Sequence, residues 1–375
     1  MSKKVLKKMK SYKLTLNQIE SFLLEDEHEK LATITHYLQN KNTPAESNYK
    51  KEAISLLPPS FQDDLFKWDV PFPPPENHKF TFIDLFAGIG GMRIAFQNLG
   101  GKCLFTSEWD AAAQVSYKEN FGEMPFGDIT KIDENNIPNH DLLIAGFPCQ
   151  PFSIIGKRRG FEDIRGSLFF DIARILKAKK PKAFVLENVK QLVGHRKGET
   201  FSTIISVLKK LNYKVVYKVL NALDYGLPQK RERVIIVGTK TNFDFEWPEK
   251  INKYKPLSEI LEKKVDNKHF VSEKILNKRK NSHNSSYEIS IWHENKSGHI
   301  SSYQYSCALR AGASYNYLLV NGERRLTARE MLRLQGFPDK FIIAVPDAQI
   351  RKQAGNSVPV NMIFSVGKNV IKYFE

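Results

Sequence analysis

Three cysteines among 375 residues is a sparse supply. Cys103, Cys149 and Cys307 stand far apart and form no C-x-x-C pair, which excludes a disulfide framework and a zinc site of the usual spacing. No metal site is expected elsewhere. Each thiol is then either a small buried apolar group or a reactive nucleophile, and the buried reading is kept for Cys103 and Cys307. Long apolar runs are missing too. Stretches such as 141–147 fall far short of the roughly 20 residues needed to cross a bilayer, so an integral membrane protein is not expected. Lys3, Lys4, Lys7, Lys8 and Lys10 make the N-terminus basic, but no apolar run of about 7–15 residues follows, as a secretory signal requires. The chain is expected in the cytosol. Internal repeats are absent.

Acidic residues are the other shortage: 41 Asp and Glu against 57 Lys and Arg leave a formal net charge of +16. A surplus of this size points to a polyanion, most often nucleic acid, although a lysine-rich solubilising surface has the same composition. The 41% hydrophobic content excludes disorder throughout, and the length admits one large domain or two to three ordinary ones.

Residues 1–75 read as a helical N-terminal extension with its linker. Thr15-Leu-Asn-Gln18 has the form of a capping box ahead of Leu16, Ile19, Leu23 and Leu24, and Leu31, Ile34, Tyr37 and Leu38 make a second stripe at helical spacing. Pro71-Phe-Pro73-Pro74-Pro75 neither continues a helix nor pairs as a central strand, and is read as a stiff linker. Apolar strands are then expected at 80–86, 103–107, 141–145, 183–186, 214–220 and 233–237, separated by helices including 92–98, 166–177 and 200–211. Short buried strands alternating with helices predict an α/β fold with a doubly wound parallel sheet over 78–244. The alternation stops near Thr239. Residues 249–283 hold ten Lys or Arg against five Asp or Glu, and the region 245–322 reads as an irregular surface-reading insert, with a solvated excursion as the plainer alternative. Helices at 327–334 and 359–373 close the chain in a segment spanning 323–375.

The chemistry gathers at strand ends. Asp84-Leu-Phe-Ala-Gly88-Ile-Gly90-Gly91 sets glycines between the first strand and first helix, where a bare backbone and a helix N-terminus suit a polar ligand. Glu108, about 20 residues on at the end of the second strand, is placed for ribose hydroxyls, and Trp109 beside it for an adenine ring. Asp128 is expected after a third strand. Together these describe an adenosine-cofactor crevice. Cys149, in Gly146-Phe-Pro-Cys-Gln-Pro-Phe-Ser153, follows the next strand, where a thiol faces the crevice and the buried inert reading is weakest. The basic loop Gly156-Lys157-Arg158-Arg159-Gly160, the triplet Glu187-Asn188-Val189 and the run Gln229-Lys-Arg231-Glu-Arg233 complete a site able to add a nucleophile to a polarised ring.

These segments, followed by Arg325-Leu-Thr-Ala-Arg-Glu330, Leu334-Gln-Gly-Phe-Pro338 and Gln353-Ala-Gly-Asn-Ser-Val358, occur in the order seen in DNA cytosine-5 methyltransferases. The chain closely resembles bacterial members of that family over residues 78–375. The resemblance implies S-adenosylmethionine as cofactor, held by Phe86, Gly88, Gly90, Glu108, Trp109, Asp128, Ile129, Asn356, Ser357 and Val358. It implies Cys149 as nucleophile, Glu187 facing the cytosine N3 and amino group, Arg233 at the cytosine O2, and Arg231 in support. A mobile catalytic loop would cover a cytosine flipped out of duplex DNA, with Ser153, Lys157, Arg158, Arg159 and Arg310 as DNA contacts. The insert would be the target-recognition domain, reading one sequence. Many members carry Thr-Leu or Thr-Ile near its end where this chain has Ala308-Leu309, so backbone support for the flipped nucleotide would differ there. A monomer is expected, with a cognate restriction endonuclease as a further partner the family admits. Two alternatives stand beside this reading: a transfer-RNA cytosine-5 methyltransferase, against which Glu187-Asn188-Val189 argues, and a catalytically inactive DNA-binding regulator, disfavoured because Cys149, Glu187 and Arg233 are all present.

Overall fold

The computed structural model describes residues 27–57, 68–148, 168–240 and 244–374. In chain order its elements are α1 (His28–Gln39), α2 (Glu46–Leu56), β1 (Phe80–Leu85), α3 (Gly91–Gln97), β2 (Gly101–Ser107), α4 (Ala111–Phe121), β3 (Leu142–Gly146), α5 (Phe169–Lys179), β4 (Ala183–Val189), α6 (Glu199–Lys210), β5 (Lys214–Asn221), β6 (Gln229–Lys230) and β7 (Glu232–Thr239). There follow α7 (Leu257–Ile260), α8 (Glu273–Ser282), β8 (Ile291–Glu294), β9 (Ile300–Tyr303), β10 (Ser306–Cys307), β11 (Leu318–Val320), α9 (Ala328–Leu334), α10 (Asp347–Asn356) and α11 (Val360–Ile371). The helix read at 15–24 lies outside the described residues. No described helix is long and apolar enough to cross a membrane.

The strand residues alternate between two cores, as the period of a pleated strand requires. Phe82, Ile144, Val185 and Ile235 face one side, with α3, α4 and α11 laid over them. Leu85, Leu143, Leu186 and Ile236 face the other, under α5 and α6. Helices on both faces make the sheet doubly wound, in the order β2-β1-β3-β4-β7-β5. It differs from an all-parallel sheet in one strand: β7 runs antiparallel to both β4 and β5. The connection from Asn221 to Glu232 is too short for a parallel crossover, which takes a dozen residues or more, so the chain turns back instead. The third strand expected before Asp128 shrinks to a single bridge, Ser107 to Phe126, leaving β2 as the edge of the sheet.

The leader is docked along that edge. All ten residues from Leu31 to Asn40 are buried, the polar Thr35, His36, Gln39 and Asn40 as deeply as Ile34 and Leu38. Burying each large apolar side chain contributes roughly 1.5–3 kcal/mol, which outweighs the weak helix propensity of the segment. The proline-rich stretch is docked as well. Phe72 is buried against Phe121 and Phe341, its N–H donates to Asn120 O at 3.0 Å, and Lys340 Nζ donates to Pro71 O at 2.8 Å.

The region 245–322 is more regular than its composition predicts. It holds α7, α8 and a three-stranded antiparallel sheet, β11-β8-β9. Strands of three or four residues are too short for alternation to stand out from noise. A third apolar cluster joins Leu257, Ile291 and Leu318 to Met331 and Leu334 of α9 and Ala354 of α10, so the insert and the C-terminal segment share a core. Helix α10 itself went unread in the sequence.

Candidate active site

A cavity of about 570 Å³ opens along the carboxyl ends of β1, β2, β3 and β4. That size is ordinary for a cofactor site. Its floor is the turn after β1. Phe86 takes a left-handed conformation with φ 54°, uncommon outside glycine, and swings the chain away from the strand so that Gly88 faces the cavity. Nothing lies within 4 Å of the position a Cβ on Gly88 would occupy, and the same holds for Gly127 across the cavity. The backbone is bare at both places, open to close approach by a ligand.

At the end of β2, both oxygens of Glu108 accept backbone N–H groups, from Gly88 at 2.7 Å and from Asp110 at 2.7 Å. Burial pushes this carboxyl above the usual carboxylate range, and the two amides pull against it. Each oxygen keeps a lone pair for a hydroxyl donor. Trp109 beside it is 78% exposed, a large apolar ring left uncovered at the cavity rim. Asp128 folds its carboxylate onto the Thr130 N–H and hydroxyl at 3.0 and 2.8 Å, and Ile129 follows on the same wall. Gln353 also lines the cavity, is buried, and has no partner for its Nε2. Bare glycines, a carboxylate with free lone pairs, an uncovered indole and an unused amide donor suit a nucleoside carrying an amino-acid tail.

The other end holds the titratable pair. Glu187 on β4 pairs with Ile235 of β7, and Arg233 lies two residues along β7 on the same face of the sheet, so that Arg233 Nε meets Glu187 Oε1 at 2.8 Å. Burial raises the Glu187 pKa, with Arg233 and Arg231 pulling it back. Next along β4, Asn188 Nδ2 donates to Phe147 O at 2.9 Å, pinning the segment that leads through Pro148 to Cys149. Cys149 itself lies outside the described residues, as do Ser153, Lys157, Arg158 and Arg159.

Arg231 is fully buried and spans three strands of chain. Its Nη1 donates to Leu309 O at 2.7 Å, and its Nη2 to Gly355 O at 2.9 Å and Ser357 O at 2.6 Å. Burial and the neighbouring Arg233 lower its pKa, yet three carbonyl acceptors favour the charged guanidinium. Gln229 extends the brace: its Nε2 donates to Leu334 O at 2.9 Å and its Oε1 accepts the Leu309 N–H at 2.9 Å. Alongside, β6 pairs with β10. A crossing point of catalytic sheet, insert and C-terminal segment is thus held by buried polar groups.

Of the residues expected at the cofactor, Phe86, Gly88, Glu108, Trp109, Asp128, Ile129 and Asn356 line the cavity, as do Glu187, Arg231 and Arg233. Gly90, Ser357 and Val358 are not among the lining residues. A Cβ on Gly90, which has φ 78°, would stand 2.3 Å from the Phe121 ring, so this glycine serves helix packing. Ser357 and Val358 pack on Gly91, where a Cβ would lie 2.8 Å from Ser357 Oγ. Arg310 lines a second cavity of about 280 Å³ with Tyr315, Arg325 and Arg351, its guanidinium 4.7 Å from the Tyr317 ring centre. Sequence reasoning missed Asp110, which caps α4 through the Ala113 N–H and accepts from Lys352 Nζ at 2.6 Å, although Asp ahead of Ala111-Ala-Ala is an N-cap signal. It also missed Lys352, which carries no local signal, and gave no role to Gln353, although that residue opens the Gln353-Ala-Gly-Asn-Ser-Val358 motif. Cys103 is buried, and desolvation pushes its thiol up to about 12.

The model of the family described as C-5 cytosine-specific DNA methylase matches residues 80–372. The type II methyltransferase M.NgoBI of Neisseria gonorrhoeae is 58% identical over 292 residues, covering 77% of this chain and 92% of that protein. M.HaeII of Haemophilus aegyptius is 57% identical over 296 residues, covering 78% and 93%. Among solved structures, S. pombe Dnmt2 methyltransferase superposes with a TM-score of 0.61 at 20% identity, covering 78% of this chain and 98% of that one, a likeness of fold.

Proposed function

The chain belongs to the C-5 cytosine-specific DNA methylase family, and from that premise we propose the parts its residues take in methylating carbon-5 of a cytosine in duplex DNA. The enzyme is a DNA cytosine-5 methyltransferase using S-adenosylmethionine. The observation that supports the assignment is one cavity with two ends: Glu108 and Trp109 at one and the Glu187–Arg233 pair at the other, with Gly146, Phe147 and Pro148 also on its lining.

Glu108 would take the ribose hydroxyls, Trp109 the adenine face, Asp128 and Ile129 the purine edge, and Gly88 and Asn356 the amino-acid tail. The cofactor supplies an electrophilic methyl group on a sulfonium. Cytosine carbon-5 is a weak nucleophile, so the Cys149 thiolate adds to carbon-6, forming the S–C bond and shifting an electron pair toward carbon-5. Glu187, whose raised pKa suits it to keep a proton, donates to N3 as that charge develops, while Arg233 orients both the carboxyl and the ring. Once carbon-5 is methylated, its proton leaves to water, the C5–C6 double bond re-forms, the thiolate departs and N3 returns its proton to Glu187. A stacked cytosine offers neither face, so the base is flipped from the duplex and the 153–161 loop closes over it.

The insert 245–322 would read the target, the segment 323–375 would close the catalytic domain 78–244, and 1–75 would form the leader. The type II relatives favour DNA over the transfer-RNA alternative, and a restriction endonuclease acting on the same site would be a further partner. A monomer suffices for marking one strand at a time. Purified protein with labelled S-adenosylmethionine should methylate duplex DNA, and duplexes carrying 5-fluorocytosine at the target should form a covalent complex that Cys149→Ser abolishes. An active enzyme that traps no such complex would refute the Cys149 assignment.

A further inference from the structure

The family match begins at residue 80, and α1 lies ahead of it. This helix does the work of a missing strand. Edge strands expose backbone groups that seek partners, and β2 is the edge of the sheet next to the cofactor cavity. Three side chains of α1 and its C-cap supply partners to that edge, and a fourth to the segment after α4. Gln39 Nε2 donates to Cys103 O, Asn40 Nδ2 donates to Leu104 O at 2.9 Å, and His36 Nε2 accepts the Thr106 N–H at 3.1 Å. Thr35 Oγ1 accepts the Met124 N–H at 3.1 Å. His36 is oriented for this by its Nδ1, which donates to Ala32 O at 2.8 Å, and its Nε2 also stands 3.2 Å from Glu123 Oε1.

The same histidine supports the opposite wall. Its ring lies 4.5 Å from that of Phe126, which also stacks on Phe105 at 5.3 Å and Tyr49 of α2 at 6.0 Å. The Phe126 backbone bridges onto β2, accepting the Glu108 N–H at 2.9 Å and donating to Thr106 O at 2.9 Å. Gly127, Asp128 and Ile129, next in the chain, line the cavity. Thr106 is two residues from Glu108, roughly 7 Å along the strand. Gln114 Nε2 donates to Glu108 O as well.

We propose that the docked leader helix is part of the cofactor site, with His36 a positioning residue that sets Glu108 and the 126–129 wall through the edge of β2. The proposal rests on the reading that the 570 Å³ cavity holds S-adenosylmethionine. Losing the His36 contacts frees the β2 edge and the Phe126 ring together, so cofactor affinity falls while the Glu187–Arg233 end is untouched.

The test is titration calorimetry of the full-length chain with S-adenosylmethionine, without DNA, alongside steady-state kinetics. His36→Ala should raise Kd and the KM for cofactor about tenfold or more, leaving kcat at saturating cofactor within about twofold. His36→Gln, whose side-chain carbonyl can take the Thr106 N–H, should restore affinity to within about threefold of the parent. A folded His36→Ala protein that binds cofactor like the parent, or an affinity loss that His36→Gln leaves unrepaired, overturns the proposal. If the parent itself binds no S-adenosylmethionine, the cavity reading fails first. Should His36→Ala not fold, hydrogen exchange on the parent decides: coupling between two sites is reciprocal, so cofactor binding should slow exchange in residues 31–40. Unchanged exchange there overturns the proposal.

Discussion

His140 shows how much one buried ring can govern. It lies just ahead of β3, with Nδ1 2.8 Å from Pro138 O and Nε2 without a partner, and burial drives its pKa down to about 4. A folded-state value below the unfolded 6.5 means that the unfolded chain takes up the proton first as pH falls. Its contribution is therefore complete above about pH 6.5 and lost on the way down to about pH 4. The shift is worth about 3 kcal/mol in total. Denaturant unfolding at pH 7 and pH 4.5 should show the parent losing about 2–3 kcal/mol more than His140→Gln; equal losses would show that the ring is not the titrating group. Glycines teach a related lesson. Gly88 and Gly90 look alike in the Gly88-Ile-Gly90-Gly91 run, yet only Gly88 borders the cavity, while Gly90 makes room for Phe121.

Among the elements, α9 starts where its own residues place the start. Thr327 Oγ1 accepts the Glu330 N–H at 3.1 Å, and Glu330 Oε2 accepts the Thr327 N–H at 2.9 Å, a complete capping box. Thr327 Oγ1 also donates to Glu262 Oε2 at 2.6 Å, tying the helix to the chain after α7. Thr327→Ala should cost about 1–2 kcal/mol of stability, measured by denaturant unfolding, and thermal melts should shift in the same direction. The leader illustrates the opposite case. Its apolar stripe at Leu31, Ile34 and Leu38 was legible, but the stripe alone describes a helix with a wet polar face. The structure buries that face, because Thr35, His36, Gln39 and Asn40 find backbone partners on β2 and in the segment after α4 that no pattern within the helix discloses.

For the whole molecule, the formal charge of +16 suits a polyanion, and the number of phosphates contacted sets how DNA affinity depends on salt. Each phosphate contact contributes a slope of about −0.9 in log K against log salt, so affinity should fall steeply as salt rises. Arg310 borders the 280 Å³ cavity with Lys268, Arg325 and Arg351, at the junction of insert and C-terminal segment. If it meets a phosphate there, Arg310→Gln should lower the slope by about one and weaken all sequences alike; binding measured from 50 to 300 mM salt on cognate and unrelated duplexes separates this from base reading. The brace formed by Gln229, Arg231 and Gln335 holds the same junction, joining carbonyls of Leu309, Leu334, Ala354, Gly355 and Ser357.

Sequence alone determined the parts whose causes are local. Alternating apolar residues made the strands, the glycine turn after Leu85 opened the crevice, and motifs in fixed order placed Glu108, Glu187 and Arg233 at strand ends. Each such signal is carried by residues within a turn or two of one another. Tertiary structure decided the rest: the antiparallel β7, the docked leader and proline-rich segment, the division of labour between Gly88 and Gly90, and Arg231 as a brace. Those outcomes depend on groups far apart in the chain, 70 residues from His36 to Thr106 and 126 from Arg231 to Ser357. A polar side chain buried against a distant carbonyl repeats with no period, so nothing in its own neighbourhood announces the partner.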